Sequence, residues 1–258
     1  MLDCRTSLRV RRRQVTVAGI VQSMHRAHAP APVGRWLAHG AVAAAFALAT
    51  LAGQAAPQVR AGIETVDASA TLQAALTAYG ERRFDDARVA FEALSRNGSA
   101  LADYNLAVMH LRDELPKASR VEAVRLLNRA AVRGFVTAQF DLGRLYEGRL
   151  LGAPDLVKAY AWYRRAAENG SVDAQVEVGT AHFLGRGARK DMAEAAHWYR
   201  EAAKAGDIGA QYLIASLYES GDGVPRDLRL ARYWYEVAAS NGDVAAAVKH
   251  KALSALGD

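Results

Sequence analysis

The chain has 258 residues, 51% of them hydrophobic and 23% charged, which is ample for a buried core, and its six prolines and many alanines favour helices. A formal charge of +6 and a pI near 9.5 suggest a nucleic-acid partner, but seven arginines against the single acidic Asp3 confine that excess to residues 1–55. The other 203 residues balance 26 basic side chains against 26 acidic ones, so the body of the chain has no net field for a phosphate backbone, and nucleic acid is excluded as a leading partner.

Residues 1–55 read as an export signal: an arginine-bearing polar stretch, an apolar core from Ala41 to Ala52, then small residues at Gly53 and Ala55 ahead of a cut. Met24 would open a signal of ordinary length and is the alternative start. The apolar core, roughly 12 to 16 residues, is short for a membrane span. Cleavage predicts a periplasmic protein with no membrane insertion of the mature chain; an uncleaved signal, the alternative, would anchor it in the inner membrane. Cys4, the only cysteine, lies in the leader, so the rest can form neither a disulfide nor a thiolate metal site and must hold by packing.

Residues 56–69 read as a linker, and residues 70–98 as a short hairpin of two helices with Ala75, Tyr79, Phe84, Ala87, Phe91 and Leu94 as packing positions. Beyond it the chain repeats. Gly134, Gly170, Gly206 and Gly242 stand 36 residues apart, and Trp162, Trp198 and Trp234 keep the same step. Such a period means units that cannot bury their own apolar face and must stack on their neighbours. The units span 99–134, 135–170, 171–206 and 207–242, with a capping helix over 243–258.

The first helices begin LADYNLAVMHLR at Leu101, TAQFDLGRLYEG at Thr137, DAQVEVGTAHFL at Asp173 and GAQYLIASLYES at Gly209. Ala138, Leu142, Leu145 and Tyr146 fall on one helical face, and Gly143 and Gly179, matched by Ala107 and Ala215, leave room for a close neighbour. A loop follows, plainest in Gly221-Asp-Gly-Val-Pro-Arg-Asp227. Asp155, Asp191 and Asp227, with Ser119 in the first unit, then stand where the next helix needs an N-cap. The second helices carry the stripe Ala159, Trp162, Tyr163, Ala166 and Ala167, and end at the periodic glycine as a left-handed cap. The first unit departs from this: Leu126 and Leu127 replace the Trp-Tyr pair, and its loop LRDELPKASR lacks glycine. Lys249, His250 and Lys251 give the last helix a polar outer face.

Through AQFDLGRLYEG, AWYRRAAENG, HWYREAAKAG and GDGVPRDLRLARYWYEVAASNG, residues 100 to 243 resemble Sel-1-like repeats, relatives of tetratricopeptide repeats. The resemblance implies an all-α, right-handed α-solenoid of stacked helix-turn-helix repeats, about eleven helices in all, with residues 70–98 as a tetratricopeptide-like addition. Together with the leader and the composition, it predicts a noncatalytic interaction scaffold of the bacterial envelope. Relatives serve in cell-wall assembly, polysaccharide export, flagellar motors and host interaction.

No side chains assemble a catalytic, cofactor or metal site. His110 and His182 stand where other units have Tyr146 and Tyr218, and neither these nor His197 and His250 have metal-ligand spacing. The periodic aspartates number one per loop, which makes caps rather than an acid and base pair. The Trp-Tyr pairs recur at core spacing, which favours packing over a cation cage. Some relatives are linked to β-lactam binding, so an enzyme or accessory protein acting on cell-wall glycan or β-lactams is the alternative reading; the mature chain has no Ser-x-x-Lys sequence to support it.

What remains is the concave surface, where first-helix residues that differ between units should face a partner. They are Val108, Arg144, Thr180 and Ser216 at one level and Leu111, Glu147, Phe183 and Glu219 at the next. This mixed groove is expected to bind a protein or an extended peptide, oriented by Arg144 and the glutamates. Tyr104, Phe140 and Tyr212 border it, with packing as their main role.

Overall fold

A computed structural model describes residues 64–255, which form eleven α-helices and, among those residues, no strand. The expected export signal and residues 56–63 lie outside the described residues. Helix α1 (Glu64–Gly80) starts within the stretch expected to be a linker, and pairs with α2 (Phe84–Arg96). Four helix pairs follow: α3 (Ala100–Leu111) with α4 (Arg120–Val132), α5 (Val136–Glu147) with α6 (Leu156–Glu168), α7 (Val172–Leu184) with α8 (Met192–Lys204), and α9 (Ile208–Ser220) with α10 (Leu228–Ser240). Helix α11 (Val244–Ser254) closes the stack. Every helix packs on the one before it and the one after it, as a solenoid requires.

The ends of these helices follow from their capping residues. Asp155 accepts from the Lys158 amide at 3.0 Å, Asp191 from Ala193 and Glu194, Asp227 from Arg229 and Leu230, and Ser119 from Glu122. Ser99, Ser171, Asp207 and Asp243 cap first helices in the same way. Helices α2 and α5 have no side-chain cap; at α5 Phe135 stands in that place and packs on Tyr104 with ring centres 5.0 Å apart. At the other ends Gly134, Gly170, Gly206 and Gly242 all adopt φ between +86° and +100°. That left-handed residue turns the chain so that Ser171, Asp207 and Asp243 donate their amides back to Ala166, Ala202 and Ala238 at 2.9–3.0 Å.

Alanine sets how closely the helices approach. Ala102, Ala138, Ala174, Ala210 and Ala246, one per first helix, are fully buried, as are Ala195 and Ala231 on second helices and their near-buried counterpart Ala159. Gly143 and Gly179 admit the rings of Tyr163 and Tyr199 from the paired second helix; a Cβ on Gly179 would stand 2.8 Å from the Tyr199 ring. The tyrosine of each Trp-Tyr pair is therefore the core member, whereas Trp162, Trp198 and Trp234 are only partly buried, and Trp162 and Trp198 pack on the cluster preceding that of their tyrosine. In the hairpin α1–α2, Ala75, Ala87, Phe91 and Leu94 are buried while Tyr79 and Phe84 pack at the margin.

Helix α11 differs from the polar cap expected. Lys249 turns inward to Glu219, with its ammonium 2.9 Å from the carboxylate, and Val244 and Val248 are left 79% and 67% exposed. No described helix is long and apolar enough to cross a membrane.

Candidate partner-binding surface

The structure corrects the expectation that both levels of the groove are open. Val108, Thr180, Ser216 and Phe183 are buried, and only Leu111, Arg144, Glu147 and Glu219 keep partial exposure. In the third and fourth units the cause is the second-helix tyrosine. Its ring crosses the glycine or alanine of the first helix, and its hydroxyl emerges at the level assigned to the groove.

What that hydroxyl meets differs from unit to unit. Tyr163 donates to Glu147 Oε2 at 2.9 Å, and Tyr235 donates to Glu219 Oε2 at 2.7 Å. In the third unit the glutamate position holds Phe183, and the Tyr199 hydroxyl pairs instead with Thr180 Oγ1 at 3.1 Å. Ser216 bonds to Tyr235 as well. The first unit has Leu127 for the tyrosine with Val108 and Leu111 opposite, so the same space is apolar. A buried hydroxyl needs a partner, and replacing both members by apolar groups satisfies the site equally well. Burial raises the pKa of Tyr163 well above that of a free phenol, with Glu147 and Glu177 adding to the effect. These hydroxyls are therefore fixed donors to the carboxylates.

Further along the same helices a second polar network crosses between units. Tyr104 of α3 donates to Asp141 Oδ2 of α5 at 2.9 Å. Burial pushes the Asp141 carboxyl up to about 6, against the pull of the Tyr104 hydroxyl and the Arg144 guanidinium. Arg144 also lies over the Phe140 ring at 5.8 Å. At the N-terminal end Arg112 donates to the Tyr79 hydroxyl at 2.9 Å, which in turn donates to Glu114 Oε2 at 3.0 Å. Burial, then the Glu114 carboxylate, push the Tyr79 phenol up to about 12.

The groups that shape the surface thus include side chains the expected rows left out. Tyr163 and Tyr235, expected to pack only, each stand 16 residues after a glutamate, and that shared spacing is the signal for the bond in the sequence. Asp141, Glu177 and Lys249 share one repeat position, which the buried Leu213 holds in the fourth unit. The histidines bond locally: His182 Nε2 lies 3.0 Å from the Tyr160 hydroxyl, and His110 Nδ1 accepts from the Ser119 amide at 3.2 Å. Among the described residues no three His, Cys, Asp or Glu side chains converge as a metal site requires.

Comparison with protein-family models finds the Sel1 repeat four times in succession, over residues 100–135, 136–171, 172–207 and 208–243. The chain belongs to the Sel1 repeat family. Two solved structures support the same fold for this Sel1 repeat protein. A Sel1 repeat protein from Oxalobacter formigenes is 28% identical, with 69% of this chain and 74% of that one covered and a TM-score of 0.64. A protective antigen of uropathogenic Escherichia coli with an SLR fold is 27% identical, with 76% of this chain and 43% of that one covered and a TM-score of 0.63. No protein of curated function matches the chain. Sel1 repeat proteins generally mediate protein–protein interaction on a fold that is typically a noncatalytic scaffold.

Proposed function

We propose that this Sel1 repeat protein is a noncatalytic adaptor of the bacterial cell envelope, exported to the periplasm, which holds a protein or peptide partner along the inner surface of its first helices. The observation that carries the reading is the contrast within one helix series. Ala102, Ala138, Ala174, Ala210 and Ala246 repeat without change and are buried, whereas the two positions that hold Arg144 and Leu111, Glu147 and Glu219 vary over the four units, and these four side chains stay partly exposed. Positions that build an array repeat; positions that read a particular partner need not. The leader pattern of residues 1–55 supports export, and the balanced charge of the remainder supports a protein partner over nucleic acid.

The test is photo-crosslinking in intact cells from a probe placed at Val176, between Glu147 and Glu219 along the array. A discrete partner band is expected, and Arg144→Glu combined with Glu219→Lys should reduce it about tenfold or more, as loss of orienting charges does. An unchanged band in the double variant means the partner uses another face. N-terminal sequencing of the periplasmic fraction should find Ala56 as the first residue; a start at Met1 or Met24 in the membrane fraction would show an anchored chain instead.

A further inference from the structure

The chain contains three Asn-Gly pairs, Asn97-Gly98, Asn169-Gly170 and Asn241-Gly242, and each follows the second helix of a pair. The asparagines are exposed and share one backbone shape, with φ between −81° and −90° and ψ between 7° and 14°. The glycines follow at φ +89°, +88° and +100°, and each donates its amide to a carbonyl of the last turn, Ser95, Ala167 or Ala239, at 3.0 Å. Only the side chains differ. Asn169 Nδ2 donates to Oε1 of the buried Gln139 at 2.9 Å, and Asn241 Nδ2 to Oε1 of the buried Gln211 at 3.1 Å. Each glutamine is held in turn by its own amide, which donates to Ala131 or Ala203. Asn97 has no side-chain partner among the described residues.

An asparagine before glycine is open to attack by the next backbone nitrogen, because glycine puts no Cβ beside that atom. We propose that Asn97 is the chain's site of spontaneous deamidation, and that the bonds to Gln139 and Gln211 hold Asn169 and Asn241 back. The Gly98 nitrogen gives its proton to solvent and bonds to Asn97 Cγ; the Cγ–Nδ2 bond breaks, and Nδ2 takes up a proton and leaves as ammonia. A cyclic imide remains. Water adds to one of its two carbonyls and breaks that carbonyl's bond to the Gly98 nitrogen, so that opening at Cγ yields aspartate and opening at the main-chain carbonyl yields isoaspartate. The imide ring is flat, whereas a ψ of 7° to 14° holds the glycine nitrogen out of line with Cβ and Cγ, so each turn must first open and release its glycine amide. That step is common to the three sites. At Asn169 and Asn241 a further bond must break, and a neutral hydrogen bond of ordinary worth makes the reactive state about fivefold rarer. Isoaspartate at position 97 routes the main chain through Cβ, which lengthens the turn in which Ser99 donates to the Leu94 carbonyl at 3.0 Å and loosens the hairpin α1–α2 from the array.

The test is incubation of the purified, folded protein in mildly alkaline buffer, with peptide mapping by mass spectrometry at intervals to read the deamidated fraction at each asparagine. Asn97 should convert about fivefold faster than Asn169 and Asn241, and to both aspartate and isoaspartate. Gln139→Ala should raise Asn169 to the rate of Asn97 and leave Asn97 and Asn241 as they were. Gln211→Ala should do the same for Asn241 alone, and serves if the first variant does not fold. Equal rates at the three sites of the wild type, or a folded glutamine variant that leaves its own asparagine slow, overturn the proposal. A rise at all three asparagines together does so too, because it marks global opening instead of a lost side-chain bond.

Discussion

The first full unit and the three behind it fill one structural slot with different chemistry. In the first unit the slot holds Asp103, fully buried, which accepts from Ser95 Oγ at 2.7 Å and pairs with both Arg129 and Arg133 of α4. In the second and fourth units the corresponding residues are Gln139 and Gln211. Each donates its amide to a carbonyl at the end of the preceding second helix, Ala131 or Ala203, and accepts from Asn169 or Asn241 across 30 residues. Arg133 and the asparagines occupy the same repeat position. The array therefore needs a lock between the start of a first helix and the end of its second helix, and charge is not what the lock requires. The ionic version sits at the junction where α2 also takes part, and there it ties Ser95 into the same cluster.

Breaking the ionic lock should give the largest effect. Asp103→Ala strands two guanidinium groups, but their side chains are 32% and 36% exposed and keep part of their water, so the cost falls at the lower end for a broken buried pair, about 3 kcal/mol. Gln139→Ala leaves one carbonyl and one amide to be satisfied and should cost about 1–2 kcal/mol. Urea unfolding of the two variants measures the difference, and hydrogen exchange should place the Asp103→Ala loss in α2 to α4. Equal costs would mean the two locks are energetically the same device.

The junction between the first and second units carries a pH response. Asp141 has its pKa raised to about 6 from the ordinary 3.8, chiefly by burial. A carboxyl raised on folding contributes its full stability below the unfolded value and loses it as pH rises through about 6. A rise of that size corresponds to about 3 kcal/mol, which partial exposure reduces to about 2 kcal/mol. The wild type should therefore gain stability, relative to Asp141→Asn, on acidification from pH 7 to 4.5, and the asparagine variant, which still accepts from Tyr104, should be the more stable at pH 7. Parallel melting curves across that range would remove Asp141 from the comparison.

The fold was legible because the residues that build it repeat: Gly170 and its counterparts need a left-handed turn, Asp191 and Asp227 a cap, and Ala174 and Ala210 a close approach. The candidate surface was legible only in part. Variation between units picked out Arg144, Glu147 and Glu219, which are partly exposed, but also Thr180 and Ser216, whose variation answers the tyrosine hydroxyl rather than solvent. Periodicity within one helix could not show this, since the deciding side chain comes from the paired helix. The locks were written in the chain as Gln139 with Asn169 and Gln211 with Asn241, a fixed step of 30 residues, but that pairing gains meaning only once the end of one helix is set beside the start of another.

The smallest effect should be a gain, and it comes from the one unit in which the lock is incomplete. In the third unit Gln175 keeps the glutamine, but Ala205 stands where Asn169 and Asn241 donate in their units. The consequence is visible in the structure, because Gln175 Oε1 is a buried acceptor without a partner. A buried acceptor left unpaired forfeits its hydration with nothing in return, and a restored neutral bond is worth about 1 kcal/mol. Ala205 follows the last turn of α8 with φ −78° and ψ 0°, close to the −90° and 14° of Asn169, so an asparagine fits there without backbone change. Ala205→Asn should raise the urea midpoint by an amount corresponding to about 1 kcal/mol. The same substitution placed on Gln175→Ala should add nothing, because the acceptor it serves is gone. If the gain persisted in the double variant, the asparagine would be acting on the helix end alone, and the lock would be no common element of the four units.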